Sequence, residues 1–326
     1  MVDTFVSYLL RFRSTLDFTP GTRGWCYLIE QDGKLGKSQF DLMEDLLGDW
    51  RKAGLIPLDF VTADEKRAPL NLESLDESTP TGYAKIYATI AAECWKNYTP
   101  ISFWTYQKYY IEEVVEKIDL RELFKDVCAE FHVPIWNAGG WSDINSRADL
   151  MNRFKPHDEA GRRCVLLYCG DLDPAGELIS DKIRSNLFEL KNAVHWSPDE
   201  DRLIIDRFGL NEDFVRANRL SWIEGLETSK GEYNLEDEWH PDHFKPYVQN
   251  YLKKYGAKKV EANALVVRAA AGRQLCRDAI LKYIDRDGIT QYEKDLAEEQ
   301  SKVKKALPGV LREMLSGKGG NGGQPT

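Results

Sequence analysis

Two aspartates one residue apart close an apolar run in VLLYCGDLDPAG (165–176), and a third acid, Glu116, closes a second run in YYIEEVVEK (109–117). Alternate residues of an extended chain point to the same side. Asp171 and Asp173 can therefore converge on one ion, with Glu116 arriving from a neighbouring strand. Oxygen-only donors suit Mg²⁺, which takes its remaining ligands from water and phosphate oxygens. Such an ion would relieve the repulsion between like charges set so close together. A plainer use of the same residues stays open: Asp171 starts a turn and Asp173 caps a helix beginning after Pro174. Glu112 and Glu113 also compete with Glu116 for the first position.

These acids need strands to hold them, and the pattern supplies some. YYIEEVV (109–115) reads as a strand, and Leu120, Leu123, Phe124, Val127, Cys128 and Phe131 keep helical spacing. VPIW (133–136) is a second strand, followed by a helix at 142–154. CVLLYC (164–169) is a third strand, with a helix at 177–190. RLIIDRF (202–208) adds a strand, and 273–285 and 288–315 read as helices. Strand and helix in alternation predict an α/β fold with a parallel sheet. Ligands of such sheets bind beyond the carboxyl ends of the strands, where Glu116, Asp171 and Asp173 fall.

Upstream, SQFDLMEDLLGDWRKA places Phe40, Met43, Leu47 and Trp50 on one helical face, with Gly54 as a stop. LIPLDFV (55–61) reads as a strand, so the start of the chain suits a helix-turn-helix or winged-helix unit. A polar, Pro-containing stretch follows over 62–83. A helix is expected at 84–98, with Ile86, Ile90, Ala91 and Cys94 on its apolar face. The expected organisation is a winged-helix-like domain over 1–70 and a linker with a connecting helix over 71–107. A parallel-sheet domain with C-terminal helices over 108–315 and a flexible tail over 316–326 complete it.

The 326 residues are 42% hydrophobic and 30% charged, enough to bury a sizeable core. No apolar run approaches the roughly 18 residues of a membrane span. The first residues lack the basic start and small-residue cleavage site of a signal peptide, so a cytoplasmic protein is expected. Cys26, Cys94, Cys128, Cys164, Cys169 and Cys276 are dispersed without a CxxC pair, which favours buried thiols over disulfides or a zinc site. The net charge of −9 argues against a surface coated for DNA but leaves room for a local basic groove.

Taken together, VVEKIDLRELF (114–124), NAGGWSD (137–143) and LLYCGDLDPAG (166–176) resemble the Toprim domain. The version they resemble is that of the topoisomerase VI A subunit and its meiotic double-strand-break relative. The resemblance implies a Rossmann-like sheet domain behind a winged helix, with Glu116, Asp171 and Asp173 as ligands of Mg²⁺. It also implies an Arg followed four residues later by a nucleophilic Tyr. TRGWCYLIE (22–30) supplies Arg23 and Tyr27 at that interval, though Gly24 stands where the family has Asp. Tyr27 would attack a DNA phosphodiester and keep one strand end as a phosphotyrosine ester, and Arg23 would stabilise charge on the phosphate.

The same resemblance implies Lys117 and Arg147 as contacts to DNA and places Glu261, in KKVEANAL (258–265), near the site. Double-stranded DNA is the implied substrate. The implied assembly is a homodimer in which the tyrosine of one protomer works with the metal site of another, with a separate ATPase subunit as a possible partner. Two other readings stay open: a Toprim-type nuclease using water, and a DNA-binding or interaction protein without turnover.

Overall fold

In a computed structural model of the chain, residues 2–62, 73–138, 143–226 and 234–316 are described. Most of the expected Gly-rich turn, residues 63–72 of the 62–83 stretch and most of the C-terminal tail lie outside them. The contacts divide the chain into two compact units. One comprises Met1–Lys66 with Tyr109–Tyr283, the other Arg67–Lys108 with Ile284–Thr326.

The first unit opens with three helices, α1 (Val2–Arg13), α2 (Thr22–Gln31) and α3 (Phe40–Lys52). Phe40, Met43, Leu47 and Trp50 are the buried face of α3, as their spacing predicts. The expected strand at 55–61 is instead a single 3₁₀ turn, Leu58–Phe60. Ile56 and Phe60 are buried four residues apart while Leu55 and Leu58 are exposed, a helical rather than an alternating pattern. Pro57 also removes a ladder donor. The described residues up to Thr62 hold no strand, so a β-wing is not seen there. These helices pack into the same unit as the sheet: the Trp25 indole donates to the Phe60 carbonyl at 2.8 Å, and the Gly21 amide reaches Asp119 at 3.3 Å.

In the second unit, α4 (Pro80–Glu93) starts from Thr79, whose hydroxyl accepts the Gly82 amide. Its expected apolar face is not covered by the described residues: Ile86 and Ile90 are more than half exposed. The rest of this unit returns at the end of the chain.

Back in the first unit, β1 (Tyr109–Val115), α5 (Ile118–Glu130), β2 (Ile135–Asn137), α6 (Ile144–Glu159) and β3 (Arg163–Cys169) alternate. After them come α7 (Pro174–Glu177), α8 (Ile179–Phe188), α9 (Lys191–Val194) and β4 (Leu203–Gly209). The four strands form one parallel sheet in the order β2-β1-β3-β4. Near-continuous burial of β1 and β3 is what a sheet covered on both faces requires. The chain continues through α10 (Glu212–Ala217), β5 (Ile223–Glu224), α11 (Pro246–Tyr255) and β6 (Lys258–Lys259). A 3₁₀ segment, Ala262–Arg268, then leads into α12 (Ala269–Leu281). The long α13 (Arg286–Leu315) belongs to the second unit, where Tyr292 packs on Phe103 at 5.3 Å between ring centroids.

Adjacent glutamates in β1 show how the layers are built. Glu112 turns to one face, where Arg153 of α6 grips both its oxygens at 2.7 and 2.8 Å. Glu113 turns to the other, against Cys128 of α5 and Cys276 of α12. Helices therefore cover both faces, and neither glutamate reaches the strand ends. Glu116 has no rival there.

Candidate active site

The strand ends meet as the sequence pattern predicts. The Glu116 amide continues the ladder to the Cys169 carbonyl at 2.9 Å, which sets Glu116 beside the segment 170–173. Gly170 permits the approach: a Cβ there would lie 2.5 Å from the Tyr168 hydroxyl oxygen and 2.6 Å from Glu116 Oε2. Leu172 pairs with Val260 through amide bonds of 2.9 and 3.1 Å. The Tyr251 hydroxyl lies 2.8 Å from the Leu172 carbonyl and 2.9 Å from that of Lys258, tying the two segments together. That pairing delivers Glu261 to the acids.

The result is a cluster centred on Lys117. Its ammonium lies 2.8 Å from Glu116 Oε1, 2.8 Å from Asp171 Oδ2 and 3.5 Å from Glu261 Oε2. The second oxygens are also held. Glu116 Oε2 accepts the Asp171 amide at 3.0 Å and the Tyr168 hydroxyl at 3.2 Å, and Asp171 Oδ1 accepts the Ala262 amide at 2.7 Å. Asp173 caps α7 through the Gly176 amide at 2.6 Å, so the plainer use of this residue is realised. Glu116 and Asp173 also line a cleft of about 260 Å³ with Tyr168, Lys182 and Ile183.

Burial pushes the carboxyl of Asp171 well above its ordinary range, against the pull of Lys117, and the charges of Glu261 and Glu116 add to the rise. Burial raises Asp173 as well, against its bond from Gly176. Glu116 goes the other way: burial opposes its charge, but Lys117 and the Asp171 amide outweigh it. Lys117 is raised, since Asp171, Glu116 and Glu261 together overcome its burial.

Four carboxylates (Glu116, Asp171, Asp173, Glu261) surround Lys117 and Lys259, the latter 3.4 Å from Glu261. Arg207 adds a third cation on the backbone side, at the Asp171 carbonyl. Lys182 lines the adjoining cleft, so cations match the acids in number, but every carboxylate donor is an oxygen, which fits a hard divalent ion. Lys117, 21% exposed, stands in such a cation's place between Glu116 and Asp171.

Helix α2 brings the Tyr27 ring to the edge of this cluster, with Arg23 one turn earlier. The Lys117 ammonium lies 6.0 Å from the centroid of the Tyr27 ring, and that ring packs edge-on against Phe40 at 5.1 Å. Arg23, one turn earlier, bonds Glu44 at 2.9 Å, with Asp41 at 3.7 Å. Burial of its guanidinium is outweighed by its hydrogen bond to Tyr27 and by Glu44. Gly24 has a local cause: a Cβ there would meet Asp119 Oδ2 at 2.1 Å. The buried Asp119 of α5 lies against the helix backbone at this point.

Two residues expected at DNA have partners within the fold. Lys117 is spent on the three carboxylates. Arg147 is buried and ties α6 to the end of α8, donating to the Asn186 carbonyl at 3.1 Å and to Glu189 at 3.3 Å. Glu261 is at the site, as expected. Tyr168, Lys259 and Asp119 were missed. Tyr168 carried a readable signal, since it is three residues before Asp171 at the same strand end.

Comparisons of the chain with protein-family models, with curated proteins and with solved structures returned no match. Among the described residues, no helix is long and apolar enough to cross a membrane.

Proposed function

We propose that this protein cleaves DNA strands by transesterification, with Tyr27 as nucleophile beside an acidic site of Glu116, Asp171 and Asp173. The observation that carries the reading is the convergence of α2 on the strand ends: Tyr27 and Lys117, 90 positions apart, meet at 6.0 Å within one compact unit. The Tyr27 oxygen would bond to phosphorus and lose its proton as the sugar oxygen leaves and gains one. A phosphotyrosine ester would hold the cut strand. Arg23, one helical turn before Tyr27 on α2, would offset phosphate charge. Glu116, Asp171 and Asp173 would hold Mg²⁺, which supplies Lewis-acid polarisation of the phosphate and steadies the leaving oxygen. Lys117 would move out of the carboxylate hollow to admit it. Two copies of the chain, one per strand, would make a double-strand break, with an ATPase subunit as a possible further partner.

Hydrolysis by water is the second reading. The pairing of Arg23 with Glu44 and Asp41 favours it, because it draws the guanidinium away from an incoming phosphate. Covalent trapping decides between them. Protein, supercoiled plasmid and Mg²⁺ are quenched with denaturant, and DNA linked to protein is measured for the natural chain, Tyr27→Phe and Asp171→Asn. Transesterification predicts an adduct lost in both variants. Cleavage without an adduct, unchanged in Tyr27→Phe, establishes hydrolysis. DNA binding with no cleavage in any of the three leaves an interaction protein.

A further inference from the structure

A second cluster lies beneath the sheet face that α5 and α12 cover, remote in kind from the oxygen-only site. Glu113 of β1, Cys128 of α5 and Cys276 of α12 are all fully buried, and their ligand atoms lie within 4.8 Å of one another. Both sulfurs crowd one oxygen: Cys128 Sγ is 3.4 Å and Cys276 Sγ 3.3 Å from Glu113 Oε2. The other oxygen, Oε1, is buried and has no hydrogen-bond partner. Leaving a carboxylate oxygen buried and unpaired is costly.

We propose that Glu113, Cys128 and Cys276 form a structural zinc site. Zinc bonds to sulfur and oxygen at tetrahedral angles put the ligand atoms about 3.6 Å apart, close to the sulfur–oxygen distances here. Thiolate donors select zinc over magnesium or calcium. Cys169 of β3, buried on the same face of the sheet opposite Val115, is a further sulfur near this layer. Binding releases the two thiol protons to solvent as two zinc–sulfur bonds form, and the carboxylate gains the counter-ion it lacks. The ligands come from three separate elements, so the ion would lock α5 and α12 onto β1 and enter as the chain folds.

The test is the metal content of the full chain, purified without chelator from zinc-supplemented cells. The expectation is about one zinc per chain, little in Cys128→Ser and Cys276→Ser, and a full complement in Asp171→Asn. Since either serine variant can fail to fold, the natural chain is also refolded with Co²⁺. Tetrahedral cobalt–thiolate absorption, displaced by added Zn²⁺, supports the site. Folded protein with neither bound zinc nor cobalt–thiolate absorption overturns it, and so does loss of zinc in Asp171→Asn.

Discussion

The Lys117 ammonium lies 6.0 Å from the centre of the Tyr27 ring of its own chain. A tyrosine working on the partner's metal site would not need this neighbour. The proposed chemistry could therefore be run by the tyrosine and acids of one chain, whereas the family resemblance implies that they act across a dimer. Mixing Tyr27→Phe with Asp171→Asn separates the two. If tyrosine and acids act within one chain, the mixed preparation stays inactive. If they act across a dimer interface, mixed dimers regain covalent cleavage at one of their two sites, up to about a quarter of the natural level when subunits exchange freely.

Lys117 is the internal counter-ion of three carboxylates. Lys117→Met leaves those acids without their central cation, and loss of one partner from a buried ionic cluster costs about 3 kcal/mol. Urea unfolding without divalent ions should show a loss of that order. Mg²⁺ should then raise the melting temperature of the variant more than that of the natural chain. Equal Mg²⁺ shifts in both proteins would mean that Lys117 does not occupy the cation's place.

How far all this could be read from residues depends on the range of the forces involved. The β3 run is apolar and β1 is rich in aromatic and β-branched residues, both bounded, so their strands and the acids at their ends follow from local pattern. The 55–61 stretch misled because its hydrophobicity is that of a strand while its burial follows a helical spacing around Pro57. Glu261 reaches the site through the Leu172–Val260 pairing, a long-range contact that no spacing encodes. The contact between Gly24 and Asp119 is tertiary in the same way: the sequence shows a glycine, and only the fold shows what fills the space beside it.

That contact is testable by a double-mutant cycle. Gly24→Ala sets a methyl against the Asp119 carboxylate and should cost about 1–3 kcal/mol, by overpacking. Asp119→Ala alone loses the bond from the Gly21 amide, worth about 1 kcal/mol. The double variant should recover most of the Gly24→Ala loss, because the obstructing carboxylate is gone. Covalent cleavage should fall in Gly24→Ala, since α2 carries Tyr27, and return in the pair. Additive losses in stability would show that the glycine is not required by Asp119.

His157 gives the fold a dependence on pH that can be measured away from the site. Its ring stacks on Tyr110 at 3.7 Å between centroids, and its Nδ1 accepts the Arg162 guanidinium at 3.2 Å. Burial, and then the charge of Arg162, lower it from 6.5 to about 4. Between those values the unfolded chain takes up a proton that the folded chain refuses, so stability falls as the pH drops from 6.5 to 4 and levels off below. A buried ring would lose about 3 kcal/mol over that window; half-buried and screened, His157 should lose roughly 1–2 kcal/mol. His157→Phe keeps the stack on Tyr110 and removes the titration. Urea unfolding at pH 7, 5.5 and 4 should therefore show the variant gaining on the natural chain by that amount towards acid. Parallel curves for the two proteins would mean that His157 takes its proton as readily folded as unfolded.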